Sequence, residues 1–331
     1  MDISIMRACQ GDCIWIRWED QCVHNLLIDS GPASSRAMFR RLIQNEIISK
    51  GEVVDLLVLT HIDDDHIRGF LYYLADYSSS INANAFREIW FNTGICCLSS
   101  THSPNSAAKL SCKLNALGVH YSESVLRGDS ISLGNVTLKV ICPDAASVSA
   151  INQRIVQQQP SLHAAPINKP LVDILASDCF QSDPSDVNKA SIALVLTYCE
   201  KFRIAFLGDA HDKDVRDGLV EFFPGQAMDL VKLSHHGSSH NLSNELIDIL
   251  DTSQYFLSSS RNMDLRTLAR LHQKNENTKE AAVIYSNYPQ SLAERRLAEA
   301  GNKLLKIETL DATPQLLWKE GNAVCRVRTI S

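Results

Sequence analysis

Six consecutive residues, His61-Ile62-Asp63-Asp64-Asp65-His66, constrain this chain more than any other feature. Four side chains suited to a divalent metal, His61, Asp63, Asp65 and His66, fall inside that window. They follow Val53-Val54-Asp55-Leu56-Leu57-Val58-Leu59-Thr60, a nearly unbroken β-branched and aliphatic run that predicts a buried strand. Open α/β sheets place their chemistry where such strands run out, at the carboxyl ends. Carboxylates packed this densely repel one another, and a bound cation cancels that repulsion.

Similar endings recur downstream. Phe202-Arg203-Ile204-Ala205-Phe206-Leu207 predicts a strand closed by Gly208-Asp209, where a carboxylate after a glycine suits a bridging ligand. Residues 228–234 are strand-like and end in His235-His236-Gly237-Ser238. Adjacent histidines in a strand point to opposite faces, so one could ligate metal while its neighbour meets substrate; we take His236 for metal and His235 for substrate or leaving group.

The chain has 331 residues, 45% hydrophobic and 21% charged, enough for one large globular domain or two smaller ones. A net charge of -6 argues against holding nucleic acid by bulk charge, but not against gripping phosphates locally with metals and a few arginines. The first seven residues lack the apolar run of a signal peptide, and no stretch reaches membrane-spanning length. Ten cysteines, including the adjacent Cys96 and Cys97, occur at irregular spacing without C-x-x-C. That pattern predicts reduced thiols in a cytoplasm and no cysteine-ligated metal. His24, His102, His120, His163 and His272 read as ordinary surface or packing residues.

Strands are expected at 3–5, 13–18 and 24–29, then a helix over 35–50 from the spacing of Met38, Phe39, Leu42, Ile43, Ile47 and Ile48. A helix is expected over 67–77, a strand at 88–91, and a helix over 103–120. A hairpin over 131–141 turns at Leu133-Gly134-Asn135. Residues 144–187, rich in Ser, Gln, Pro and Asp with one short helix near 150–158, read as an insertion or flap within a single domain spanning 1–331. Two strand-rich stretches imply two sheet-bearing halves.

Taken in order, these clusters resemble the metallo-β-lactamase superfamily, and within it the metal-dependent hydrolase domain of competence-type DNA-uptake proteins. Gln10-Gly11-Asp12-Cys13, Leu27-Ile28-Asp29-Ser30-Gly31 and Thr60 to Gly69 carry the resemblance in the first half. Arg127-Gly128-Asp129, Asn188-Lys189-Ala190-Ser191, Leu207-Gly208-Asp209 and Lys232 to Ser238 carry it in the second. The superfamily motif HxHxDH has Asp63 at its second histidine position, a substitution usual in the competence-type branch. A further family histidine, expected before a helix, is matched by Asp264.

The resemblance implies a four-layer αββα sandwich with the metal site at one rim, between two mixed sheets. It implies two divalent ions, Zn²⁺ or Mn²⁺, the carboxylates favouring the harder ion and the imidazoles the softer. His61, Asp63 and one of His235 or His236 would hold the first, Asp65, His66 and Asp264 the second, with Asp209 bridging. Asp65 and His235 are also candidate catalytic groups, and Arg261 a candidate anion clamp. The implied function is a metal-dependent hydrolase, a phosphodiesterase or nuclease acting on nucleic acid or nucleotides through a metal-bound hydroxide. Hydrolysis of an ester, lactone or amide is the alternative, as is a weakly active regulatory role with a protein partner.

Overall fold

The computed structural model describes residues 1–77, 85–93, 106–153 and 169–330. The Cys96-Cys97 pair, His102, His163 and the far end of the helix expected near 150–158 lie outside those residues. The strands, in chain order, are β1 (Asp2–Met6), β2 (Ile14–Glu19), β3 (Val23–Ile28), β4 (Leu56–Leu59), β5 (Ile89–Phe91), β6 (Ser130–Leu133), β7 (Val136–Cys142) and β8 (Ala193–Tyr198). They continue with β9 (Phe202–Phe206), β10 (Leu230–Lys232), β11 (Gln254–Leu257), β12 (Ala282–Ser286), β13 (Leu305–Thr309), β14 (Gln315–Glu320) and β15 (Ala323–Ile330).

They form two mixed sheets. One runs β14-β15-β1-β2-β3-β4-β5 and the other β13-β12-β11-β10-β9-β8-β7-β6. The first half of the chain builds one sheet and the second half the other, except that the C-terminal hairpin β14–β15 returns to lie parallel to β1. The partner of the last strand is therefore the N-terminal one.

Period-2 alternation assigns each strand face to a different apolar layer. In β4, Leu56 and Val58 join Ile3, Ile16, Leu196 and Phe206 between the sheets. Leu57 and Leu59 face the other way, against Phe39, Phe70, Leu74 and Leu110 of the helices covering that sheet. Outside the second sheet, Val195, Ala205 and Val231 pack on Val215, Leu219, Leu246 and Leu268. Three apolar layers between four layers of structure make this an αββα sandwich.

Two expected boundaries move, and both moves matter for the site. The helix after β4 spans Asp64–Tyr77, so it starts inside the acidic motif and places Asp65 and His66 in its first turn. The strand before the paired histidines ends at Lys232; Ser234–Gly237 is a tight turn with His235 at φ 45° and His236 at φ 54°. Within 144–187, helices span Ala145–Gln153, Leu171–Ala176 and, across its end, Asp186–Lys189. Leu171 and Ile174 join the outer core layer. Among the described residues no helix is long and apolar enough to cross a membrane.

Candidate metal centre

The carboxyl ends of β3, β4, β9 and β10 meet at one rim, and each delivers polar side chains. Beyond β3 stands Asp29, fully buried. Beyond β4 come His61 and Asp63, then Asp65 and His66 on the helix. Beyond β9 comes Asp209, and beyond β10 the two histidines. Gly208 makes this convergence possible. Its φ is +51°, and a Cβ there would lie 2.5 Å from Ser191 Oγ and 3.3 Å from Thr60 Cβ. The ends of β9 and β4 therefore touch, and Asp209 is set against His61.

All four imidazoles are held by Nδ1 and present Nε2 to carboxylates. His66 Nδ1 donates to Asp29 Oδ2 at 2.8 Å, while Asp29 also accepts from the backbone N–H and hydroxyl of Thr60, each at 2.8 Å. His61 Nδ1 lies 3.0 Å from Thr60 Oγ1. His236 Nδ1 donates to the Ser258 carbonyl at 2.8 Å. His235 Nδ1 lies 3.2 Å from Asn241 Oδ1 and 3.4 Å from Asp183 Oδ2.

On the other side of the rings, Asp209 Oδ2 lies 3.7 Å from His61 Nε2, 3.8 Å from His66 Nε2 and 3.6 Å from His235 Nε2. Asp63 Oδ2 is 3.7 Å from His61 Nε2. Asp65 lies 3.9 Å from His66 Nε2 and 3.7 Å from His236 Nε2. These separations are too long for hydrogen bonds. They match two ligands of one ion, about 3.4 Å apart for ~2.1 Å bonds at tetrahedral angles.

The Nε2 atoms of His61, His66 and His236, with Asp209 Oδ1, are buried without a hydrogen-bond partner. Buried polar atoms rarely stay unsatisfied, so this set fits a divalent cation. Pinning the far nitrogen by a carboxylate, hydroxyl or carbonyl is how ligating histidines are oriented.

The electrostatics agree. Burial, with His66 adjacent, pushes His61 down to about 3, leaving its imidazole neutral. Burial and the Asp65 charge raise Asp63 to about 6. Against burial, His235, His66 and His61 hold Asp209 well below the usual carboxylate range. Also against burial, the Asp209 and Asp183 carboxylates raise His235 to about 9. Protons on the imidazoles and a cation compete for one pocket of negative potential.

The structure brings together His61, Asp63, Asp65, His66, Asp209, His235 and His236. Opposite-face alternation does not apply to the histidine pair, because the left-handed turn, not a strand, sets their directions. Both Nε2 atoms face the carboxylates.

Asp264 stands elsewhere. It caps the helix Leu265–Thr278, one oxygen accepting from Arg266 N at 2.8 Å and the other from Ser239 Oγ at 2.6 Å. An Asp before an apolar helical run satisfies orphan N–H groups there, and both its oxygens are used. His236 stands beside Asp65 and His66, where Asp264 was expected. Arg261 is exposed at the rim, its Nη2 3.4 Å from Gln10 Oε1.

Four site residues escaped assignment from the sequence: Asp12, Asp29, Asp183 and Asn241. Asp12 lies within 4.8 Å of His66, Asp209 and His236 by its ligating atoms, and forms a buried ion pair with Lys232. Its loop is seated by Gly11, where a Cβ would fall 1.9 Å from the Asp65 carbonyl oxygen. Asp12 and Asp29 sit in the Gly-Asp and Asp-Ser-Gly stretches that carried the resemblance, which was the available signal. Asp183 lies in the presumed insertion and carried none.

A model of the metallo-β-lactamase superfamily matches residues 6–78. That span runs from the end of β1 through the helix Asp64–Tyr77 and includes Asp12, Asp29, His61, Asp63, Asp65 and His66. With the αββα architecture, it supports a place in that superfamily. No curated protein matches the chain.

Among solved structures, a mutant of the CmlA beta-hydroxylase is 12% identical with a TM-score of 0.43, covering 91% of this chain and 51% of its own. This chain thus spans about half the length of that protein. Human tRNase Z, short form, is 12% identical with a TM-score of 0.43, covering 78% of this chain and 92% of its own. A diphosphatase from the PhnP family is 12% identical with a TM-score of 0.40, covering 90% and 81%. Likenesses this distant carry no statement about substrate.

Proposed function

We propose that this chain is a metal-dependent phosphodiesterase or nuclease, of the competence-type HxDxDH branch, acting on nucleic acid or nucleotides with two divalent cations. The observation that carries the reading is the meeting of four Nε2 atoms with Asp63, Asp65 and Asp209 at one rim. His61, Asp63 and His235 would hold one cation and Asp65, His66 and His236 the other, with Asp209 between them. With His236 in the second set, Asp264 is not needed to complete it. Bound divalent cations supply Lewis acidity and bring the pKa of water toward neutrality.

The chain's own residues hold and orient. Asp29, Thr60, Asn241, Asp183 and the Ser258 carbonyl fix the rings, so little reorganisation remains when substrate arrives. Four imidazoles and three carboxylates make a mixed nitrogen and oxygen donor set, which suits Zn²⁺ and also admits Mn²⁺. Arg261, beside Gln10, would meet an anionic substrate. The eight cysteines among the described residues are unpaired, which supports a reducing, cytoplasmic setting.

Elemental analysis of purified protein, with turnover of bis(p-nitrophenyl) phosphate and plasmid DNA before and after chelation, tests the proposal. Metal-dependent phosphodiester cleavage should exceed turnover of p-nitrophenyl esters or a cephalosporin. Efficient ester or lactam hydrolysis without phosphodiester cleavage overturns the substrate class. Bound metal with no turnover of any of them favours the regulatory reading.

A further inference from the structure

At the opposite end of β3 from the metal centre, the turn joining β2 to β3 gathers a second set of ligand-type side chains. Cys22 Sγ lies 3.3 Å from His24 Nε2, and His24 Nε2 lies 3.3 Å from Asp20 Oδ1. The ligating atoms of all three fall within 4.8 Å of one another. His24 and Asp29 stand at the two ends of one strand, five residues or about 17 Å apart, so the clusters are separate.

The turn is built to hold this arrangement. Positions i, i+2 and i+4 converge because Asp20 folds back over the turn, accepting from the N–H groups of Gln21 at 2.5 Å and Cys22 at 3.3 Å. Its other oxygen accepts from Asn135 N at 2.9 Å, in the turn between β6 and β7 of the opposite sheet. Gly134 makes room for it: a Cβ there would lie 1.7 Å from Asp20 Oδ2. His24 is buried and stacks on Trp18, with ring centroids 5.1 Å apart at 20°. Its Nδ1 has no hydrogen-bond partner but faces the buried Asp55 carboxylate at 3.7 Å.

We propose that Asp20, Cys22 and His24 form a second, mononuclear Zn²⁺ site within the β2–β3 turn. One thiolate, one imidazole and one carboxylate suit Zn²⁺ over the harder Mn²⁺. The observed separations approach the roughly 3.4–3.6 Å expected between tetrahedral Zn²⁺ ligands. Asp20 and Cys22 are exposed, so the fourth position opens to solvent. Binding displaces the Cys22 proton to solvent as the sulfur takes up the metal.

The site stands independently of the proposed hydrolase, because that centre contains no cysteine. Full-length protein loaded with Co²⁺ should show sulfur-to-cobalt charge-transfer absorption, and Cys22→Ser should abolish it. Cys22→Ser and Asp20→Asn should each bind one fewer equivalent of Zn²⁺ than the unaltered protein. In the unaltered protein, Zn²⁺ should slow alkylation of Cys22 at least tenfold by peptide mass spectrometry, which requires no variant. Absence of the absorption, its persistence in Cys22→Ser, or an unchanged alkylation rate overturns the proposal. Loss of metal at the rim with the absorption retained would count against the hydrolase reading alone.

Discussion

The imidazole of His66 donates from Nδ1 to the buried carboxylate of Asp29 across 2.8 Å and so turns Nε2 toward Asp209, 3.8 Å away. Thirty-seven residues separate His66 from Asp29, and only the parallel pairing of β3 with β4 brings them together. This contact decides which nitrogen of His66 is free to ligate.

Asp29→Asn keeps the size of the side chain but turns an amide N–H toward Nδ1, driving the ring proton onto Nε2. Metal affinity should fall by about 10–100-fold, as when such outer carboxylates are lost elsewhere. Calorimetric titration with Mn²⁺ and Zn²⁺ checks this. Unchanged affinity would mean that His66 is not a ligand.

Both paired histidines should affect metal content. His235→Ala should lose the ion beside His61 and Asp63, and His236→Ala the ion beside Asp65 and His66, each variant keeping about one equivalent. Elemental analysis separates the cases. If His235→Ala retains full metal while its rate falls, His235 meets substrate instead, as a proton donor.

Asp264→Ala should cost about 1 kcal/mol of stability by urea denaturation, the usual loss of a helix N-cap. Its metal stoichiometry should match that of the unaltered protein, since the carboxylate caps the helix Leu265–Thr278 outside the cluster at the rim. A missing equivalent of metal would contradict the cap assignment.

Gly208→Ala should be destabilising by about 1–3 kcal/mol, from left-handed backbone strain and crowding against Ser191. Relaxing that crowding moves Asp209 away from His61, so metal affinity should drop more than tenfold. A neutral result in urea melts and metal titration together would show that the tight β9–β4 approach does not set the site.

Buried Lys232 next to Asp12 makes a harsher test of packing. Lys232→Met leaves the Asp12 carboxylate buried without its partner, which should cost on the order of 3–5 kcal/mol. Restoring neutrality with Asp12→Asn in the same chain should recover part of that loss. A loss in the double variant equal to the sum of the Lys232→Met and Asp12→Asn losses would show that the pair is not coupled.

Local pattern in the sequence was enough for the strands that end in ligands. The unbroken aliphatic run Leu56-Leu57-Val58-Leu59, the aliphatic run before Gly208-Asp209 and the hairpin turned at Gly134 all appear where hydrophobic pattern and turn residues placed them. His61, Asp63, Asp65 and His66 were legible because they crowd into one window.

Tertiary structure alone decided what each polar residue does. Asp264 became a cap because Ser239 and Arg266 N occupy its oxygens. His235 and His236 face one centre because the chain turns left-handed after Lys232. Asp12, Asp29 and Asp183 entered the site from distant segments, and Cys22 met His24 and Asp20 only as the β2–β3 turn closed against Asn135. Hydrophobic periodicity is a local property, readable in a handful of residues. The pairing of a nitrogen with an oxygen depends on which strand ends pack side by side, and no single stretch of sequence contains that information.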